Sequence, residues 1–185
     1  KGRLGEKNAN LLGLVIVGKI LMAALSRVDA PKDKRAPFYL YIDEFQNVTT
    51  DSISQILSEA RKYALSLNVA HQYIKQLEDS IRDAVFGNVG NMATFRVSGE
   101  DAEFLEKVHE PVFSAHDIAN IDNYNAYIKM LVCGQPQRSF SIATIPPQEG
   151  DPAVREQIKQ LSREKYGRPR AEVEAEIMKK YQSMG

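Results

Sequence analysis

Cysteine is almost absent from this sequence: Cys133 stands alone, which rules out an intrachain disulfide. That one cysteine and the three histidines fall at no zinc-like spacing, so a Cys/His metal centre is excluded. There is no excess of either charge. Lys plus Arg and Asp plus Glu number 24 each, so bulk charge gives no argument for nucleic-acid or anionic-membrane binding. A local basic loop would not show in that total. No internal repeat or low-complexity tract is evident. The longest apolar stretch, Leu11 to Leu25, is shorter than the ~20 residues of a membrane span and carries Lys19, so it predicts a buried helix. A secretory pattern is missing, which makes a reducing cytosol the expected setting. The chain opens on Lys1 rather than Met and is expected to be a fragment of something longer. Its 185 residues, 43% apolar and 26% charged, suit one soluble domain with a real core.

The organising stretch is Pro37 to Gln46. Apolar, β-favouring residues run into the adjacent carboxylates Asp43 and Glu44, which predicts a buried strand of a parallel sheet. Open α/β sheets bind ligands beyond the carboxyl ends of their strands, and both acids would sit on that edge. A strand ending this way is the Walker B element of P-loop NTPases, whose first acid holds Mg²⁺ and whose second orients or deprotonates the attacking water. The plainer alternative is a strand whose acids begin a loop or cap a helix.

Gly13 to Lys19 fits most of the phosphate-loop pattern, but Ile20 stands where a hydroxyl must reach Mg²⁺. Bulky Leu14 to Val17 and the helical pattern argue against a loop there, so the motif is read as a decoy. Arg27 to Ala36 reads as an exposed connector. Thr, Asp and Ser between 47 and 52 mark a helix start, and Ile53, Ile56, Leu57, Ala60 and Ala64 follow a helical period. Ser66 to Gln72 predicts a second strand, Ile74 to Phe86 a helix, Met92 to Val97 a third strand, and Glu100 to Val108 another helix. Ser114 and Asp117 form a capping-box pattern. Ala126 to Cys133 and Ser139 to Ile145 alternate as an antiparallel hairpin. After Pro146-Pro147 the composition turns charged and helical. Asp151-Pro152 starts one helix with a Val154/Ile158/Leu161 stripe, and a second runs from about Arg170 to Tyr181.

Four ordered pieces carry a family likeness: Phe38 to Gln46, Glu59-Ala-Arg61-Lys-Tyr63, Ala70-His71-Gln72 and Thr94-Phe-Arg96-Val97. Together they resemble TraG/TraD-like type IV secretion coupling ATPases of the HerA/FtsK group of P-loop DNA pumps. The likeness spans Lys1 to about Pro147. It implies an α/β fold, the C-terminal half of a RecA-like P-loop NTPase core, with a mainly parallel sheet and an antiparallel edge hairpin. Residues 1–147 would be that portion of the ATPase domain and 151–185 a helical extension. The resemblance implies that Asp43 is the Mg²⁺-side acid and Glu44 the catalytic carboxylate. It makes Gln72 a sensor amide on the γ-phosphate or the attacking water, and Arg61 an arginine finger acting across a subunit interface. Arg61 could equally lay its methylenes along the core edge. Many relatives carry a small hydroxyl residue where His71 stands, and neither His71 nor Arg96 receives a role.

The Walker A loop is missing, so the chain alone is expected to lack ATPase activity. The leading expectation is part of a ring-forming, ATP-hydrolysing DNA translocase for conjugation or type IV secretion. Its cofactors would be ATP and Mg²⁺, and its partners DNA, further copies in a ring expected to be a hexamer, and secretion-apparatus proteins. It would be cytoplasmic, at the inner face of the membrane through an upstream anchor. A DNA-processing motor, or a non-catalytic docking module on a vestigial NTPase fold, are the alternatives.

Overall fold

The computed structural model describes residues 5–49 and 59–183, with the side chains of Ala60 and Arg61 outside the described set. The predicted helix from Ile53 falls mostly outside it as well. Two compact units result, residues 1–144 and 145–185.

In the first unit, helix α1 (Glu6–Leu25) passes through 3₁₀ turns at Ser26–Asp29 and Lys32–Lys34 into β1 (Phe38–Ile42). The connector is tied down rather than loose. Arg27 donates to the carbonyls of Ala36 and Tyr63, and Arg35 to those of Ala30, Val28 and Lys62. Strand β2 (Leu65–Val69) lies parallel to β1 with Phe38 opposite Leu65 and Ile42 opposite Val69. Ala64, at φ 57°, makes the left-handed step from the 3₁₀ turn Ala60–Tyr63 into β2. Leu40 and Ile42 pack with Val17, Leu21 and Ala24 of α1 on one side of the pair. Apart from Ala24 these side chains are only partly buried, so each contributes a fraction of the about 1.5–3 kcal/mol that full burial brings.

Two expectations need correction here. Strand β1 is half-buried, because its alternating side chains Tyr39 and Tyr41 are 61% and 74% exposed on the other face. Helix α1 is not buried either: only Ala24 is, while Leu11, Leu12, Val15, Ile16 and Met22 lie in the open. The helical stretch 6–29 is long and apolar enough to cross a membrane by length and composition, so the length argument from sequence fails. The decoy motif does lie inside this helix. Gly13 serves packing: a Cβ there would come within 2.7 Å of Val48 Cγ1, whereas one on Gly18 meets nothing.

The chain continues through a 3₁₀ turn (Ile74–Gln76), α2 (Asp79–Asn88), β3 (Met92–Thr94), α3 (Gly99–His109) and α4 (Ala115–Ala119). The Ser114 capping box is formed on both sides, Asp117 N–H donating to Ser114 Oγ and Ser114 N–H to Asp117 Oδ2. Then come β4 (Asn125–Lys129), the small hairpin β5 (Leu131–Val132) and β6 (Gln135–Pro136), and β7 (Phe140–Ala143). Cys133 and Gly134, both at positive φ, make the two-residue turn of that hairpin. Strands β4 and β7 pair antiparallel as expected, but β3 also pairs antiparallel with β4. Among the described residues the only parallel pairing is β1–β2, so a single, mainly parallel sheet is not observed. Phe86 packs against both apolar clusters, the one under β1–β2 and the one around Ala102, Leu105, Ile118 and Ile121.

The second unit holds α5 (Pro152–Tyr166), capped by Asp151 accepting from Ala153 N–H, and α6 (Arg170–Gln182). Neither helix has a buried residue. Pairs such as Arg170–Glu174 and Lys180–Glu176 support them locally.

Candidate functional site

The carboxyl ends of β1 and β2 make one rim because the strands run parallel in register. Backbone bonds extend the pairing past the strands, with Ala70 N–H donating to Ile42 O and Phe45 N–H to Ala70 O, both at 2.9 Å. Phe45 is wholly buried and anchors the turn that follows. Asp43 and Glu44 therefore leave β1 at the mouth of the parallel pair, where the apolar run placed them.

Glu44 sits at φ 53°, ψ 46°, a left-handed conformation that side-chain-bearing residues seldom adopt. This step starts the 3₁₀ turn Phe45–Val48. It turns the Glu44 carboxylate toward the tip of β2. There Gln72 Nε2 donates to Oε1 at 2.7 Å, and Gln46 Nε2 donates to Oε2 at 2.6 Å. A carboxylate only accepts, so both amides must present their nitrogens to it. That leaves Gln46 Oε1 buried without a hydrogen-bond partner among the described residues, a penalty of about 1–3 kcal/mol. Asp43 is exposed, and its Oδ1 accepts from Glu44 N–H at 2.9 Å.

The structure thus brings Asp43, Glu44 and Gln72 together. Arg61 has its backbone in the turn before β2, and its side chain lies outside the described residues. His71 is half-buried, and burial pushes its pKa below the ordinary 6.5, with Asp101 partly opposing. It is neutral at neutral pH and no fixed cation. Arg96 lies past the end of β3, not within a strand, and donates to Asn123 Oδ1 at 2.7 Å. Gln46 is the residue that sequence reasoning passed over. It belongs to the organising stretch, yet nothing in composition shows the left-handed turn that brings it back onto Glu44.

No group of three or more His, Cys, Asp or Glu among the described residues could enclose a metal ion. One open carboxylate at a strand end suits Mg²⁺, which keeps most of its waters and is shared with substrate phosphates.

Residues 37–121 match the family described as the TraM recognition site of TraD and TraG. No curated protein matches the chain. Among solved structures, the bacterial conjugative coupling protein TrwB in an unbound form aligns with a TM-score of 0.60 and 17% identity, covering 75% of this chain and 38% of that one. TrwB in complex with the non-hydrolysable ATP analogue ADPNP aligns equally well, at 0.60 and 17%, covering 75% of this chain and 37% of that one. The chain therefore spans under two-fifths of the structures it matches. Their shared fold is RecA-like α/β, with helices and sheets mixed as described above. Residues 37–121 are thus similar to the TraM recognition site of TraD and TraG, and the chain shares its fold with the coupling protein TrwB.

Proposed function

We propose that the chain supplies the Walker B side of the nucleotide site in a ring-forming ATPase that moves DNA during conjugation or type IV secretion. One observation carries the reading: the mouth of a parallel strand pair holds an open Asp43 beside a Glu44 carboxylate bonded to Gln72 at 2.7 Å. That is the placement a nucleotide-binding α/β edge requires. The likeness to a coupling protein crystallised with an ATP analogue supports it.

In this reading residues 1–147 are the C-terminal portion of the ATPase domain and 151–185 a helical extension. Asp43 would hold Mg²⁺ to neutralise charge on the nucleotide phosphates, and Glu44 orients or deprotonates the attacking water. The Gln72 amide, bonded to Glu44 here, is the sensor that turns toward the γ-phosphate or the attacking water when nucleotide binds. Arg61 acts on the site of a neighbouring copy. The phosphate loop comes from a part of the protein outside this sequence. Partners are DNA, further copies in a hexameric ring, and secretion-apparatus proteins, with a TraM-type protein suggested by the family match. The setting is cytoplasmic, at the inner membrane face through an upstream anchor.

The test is DNA-stimulated ATP turnover by the whole coupling protein that carries this segment. Glu44→Gln should abolish turnover while nucleotide still binds, and DNA affinity should fall steeply as salt rises. Turnover that survives Glu44→Gln ends the assignment.

A further inference from the structure

The reading above uses Gln72 and leaves Gln46 without a role. Yet Gln46 holds the second carboxylate oxygen of Glu44, at 2.6 Å, from the same short turn that Glu44 begins. One amide alone would leave the carboxylate able to swivel about its terminal bond, a broad and soft torsion. Two amides on two different oxygens fix its plane. The arrangement also carries a penalty, since Gln46 Oε1 is buried with no partner among the described residues. An apolar side chain of similar size would fill the position without that penalty, so stability does not explain a glutamine here. Donation to Glu44 does.

We propose that Gln46 is a positioning residue for Glu44, the permanent half of a two-amide clamp whose other half, Gln72, is exchanged toward nucleotide during the cycle. The proposal rests on Glu44 being the catalytic carboxylate. The two amides differ in the way such a division needs. Gln72 is exposed at the tip of β2, whereas Gln46 is held in a turn anchored by buried Phe45 and by Asn47 N–H donating to Glu44 O at 2.9 Å. When Gln72 turns to the phosphate, Gln46 keeps Glu44 aimed at the water.

The experiment compares Gln46→Leu, Gln46→Glu and Glu44→Gln in the whole coupling protein, reading kcat, KM for ATP and thermal midpoint. Both Gln46 variants should lower kcat on the order of tenfold to a hundredfold, the cost of a misaimed catalytic group. KM should stay within about twofold, because Gln46 serves the transition state rather than nucleotide binding. Gln46→Leu should leave the thermal midpoint nearly unchanged, since removing the orphaned oxygen offsets the lost bond to Glu44 Oε2. An unchanged kcat in Gln46→Leu overturns the proposal, as does a kcat loss matched by a falling midpoint and rising KM, which marks a merely structural residue. If Glu44→Gln is inactive and Gln46→Leu is fully active, only the clamp fails. If Glu44→Gln keeps its turnover, the functional reading fails and takes the clamp with it.

Discussion

Residues away from the rim decide how the segment answers to pH. His109, the last residue of α3, is fully buried, with Nε2 at 2.9 Å from Thr94 Oγ1 of β3 and Nδ1 at 3.1 Å from Ser139 Oγ. It joins a helix, a strand and the approach to β7, and it packs edge-on to Phe113 and Tyr127, which stack on each other at 3.6 Å. Burial, with help from the charge of Lys129, lowers its pKa from the ordinary 6.5. The folded state therefore holds His109 neutral where the unfolded chain begins to protonate it. The stability it contributes is complete above about pH 6.5 and drains away as pH falls through the depressed folded value. Half-buried His71 adds in the same direction. Urea midpoints should be flat from about pH 8 to 7 and fall progressively toward pH 5. His109→Gln should flatten part of that slope. His109→Ala should lower stability at pH 8 by about 2–5 kcal/mol, because it opens a cavity and strands two hydroxyls.

At the scale of elements, legibility depended on whether an element's own sequence contains its cause. Strand β1 and its acids were readable because an apolar run ending in carboxylates is a local fact. So were the Ser114–Asp117 box and the Asp151 cap, where side chain and backbone lie within three residues. The direction of β3 was not readable, since alternation of side chains is the same in parallel and antiparallel pairs. The exposure of α1 was hidden because burial depends on what else is present. Gly13 and Gly18 show the difference within one helix. A sequence motif treats them alike, but Gly13 lets α1 approach Val48, on the turn that carries Gln46, while Gly18 faces open space. Gly18→Ala should raise helix stability by about 0.5–1 kcal/mol, the ordinary gain of alanine over glycine. Gly13→Ala should instead destabilise, because a β-branched valine side chain has few rotamers to retreat into. Equal gains from both substitutions, read as thermal midpoints, would contradict a packing role for Gly13.

At the scale of the whole molecule, the described residues expose apolar surface that α/β cores ordinarily cover. Parallel pairs occur in sheets buried on both faces, yet here Tyr39 and Tyr41 stand open on one face of β1. The outer side of α1 presents Leu11, Leu12, Val15, Ile16 and Met22 together, with Leu11 62% and Met22 69% exposed. A contiguous apolar face of this kind marks an interaction surface or an aggregation hazard. The matched structures are more than twice as long as the part this chain aligns to, and further protein packed on α1 and β1 would account for both surfaces at once. The 185-residue polypeptide, produced alone, should therefore bind a hydrophobic dye and self-associate at micromolar concentration without turning over ATP. Leu11→Lys with Met22→Lys should suppress the association while leaving the helix content unchanged, because neither side chain is buried. Within the whole coupling protein the same pair should destabilise, since charge would then enter a packed interface. Light scattering and dye fluorescence on the isolated chain, followed by thermal melts of the whole protein, separate the outcomes. An isolated chain that is monomeric and dye-silent, or a whole protein indifferent to both lysines, would show that these faces meet water rather than protein.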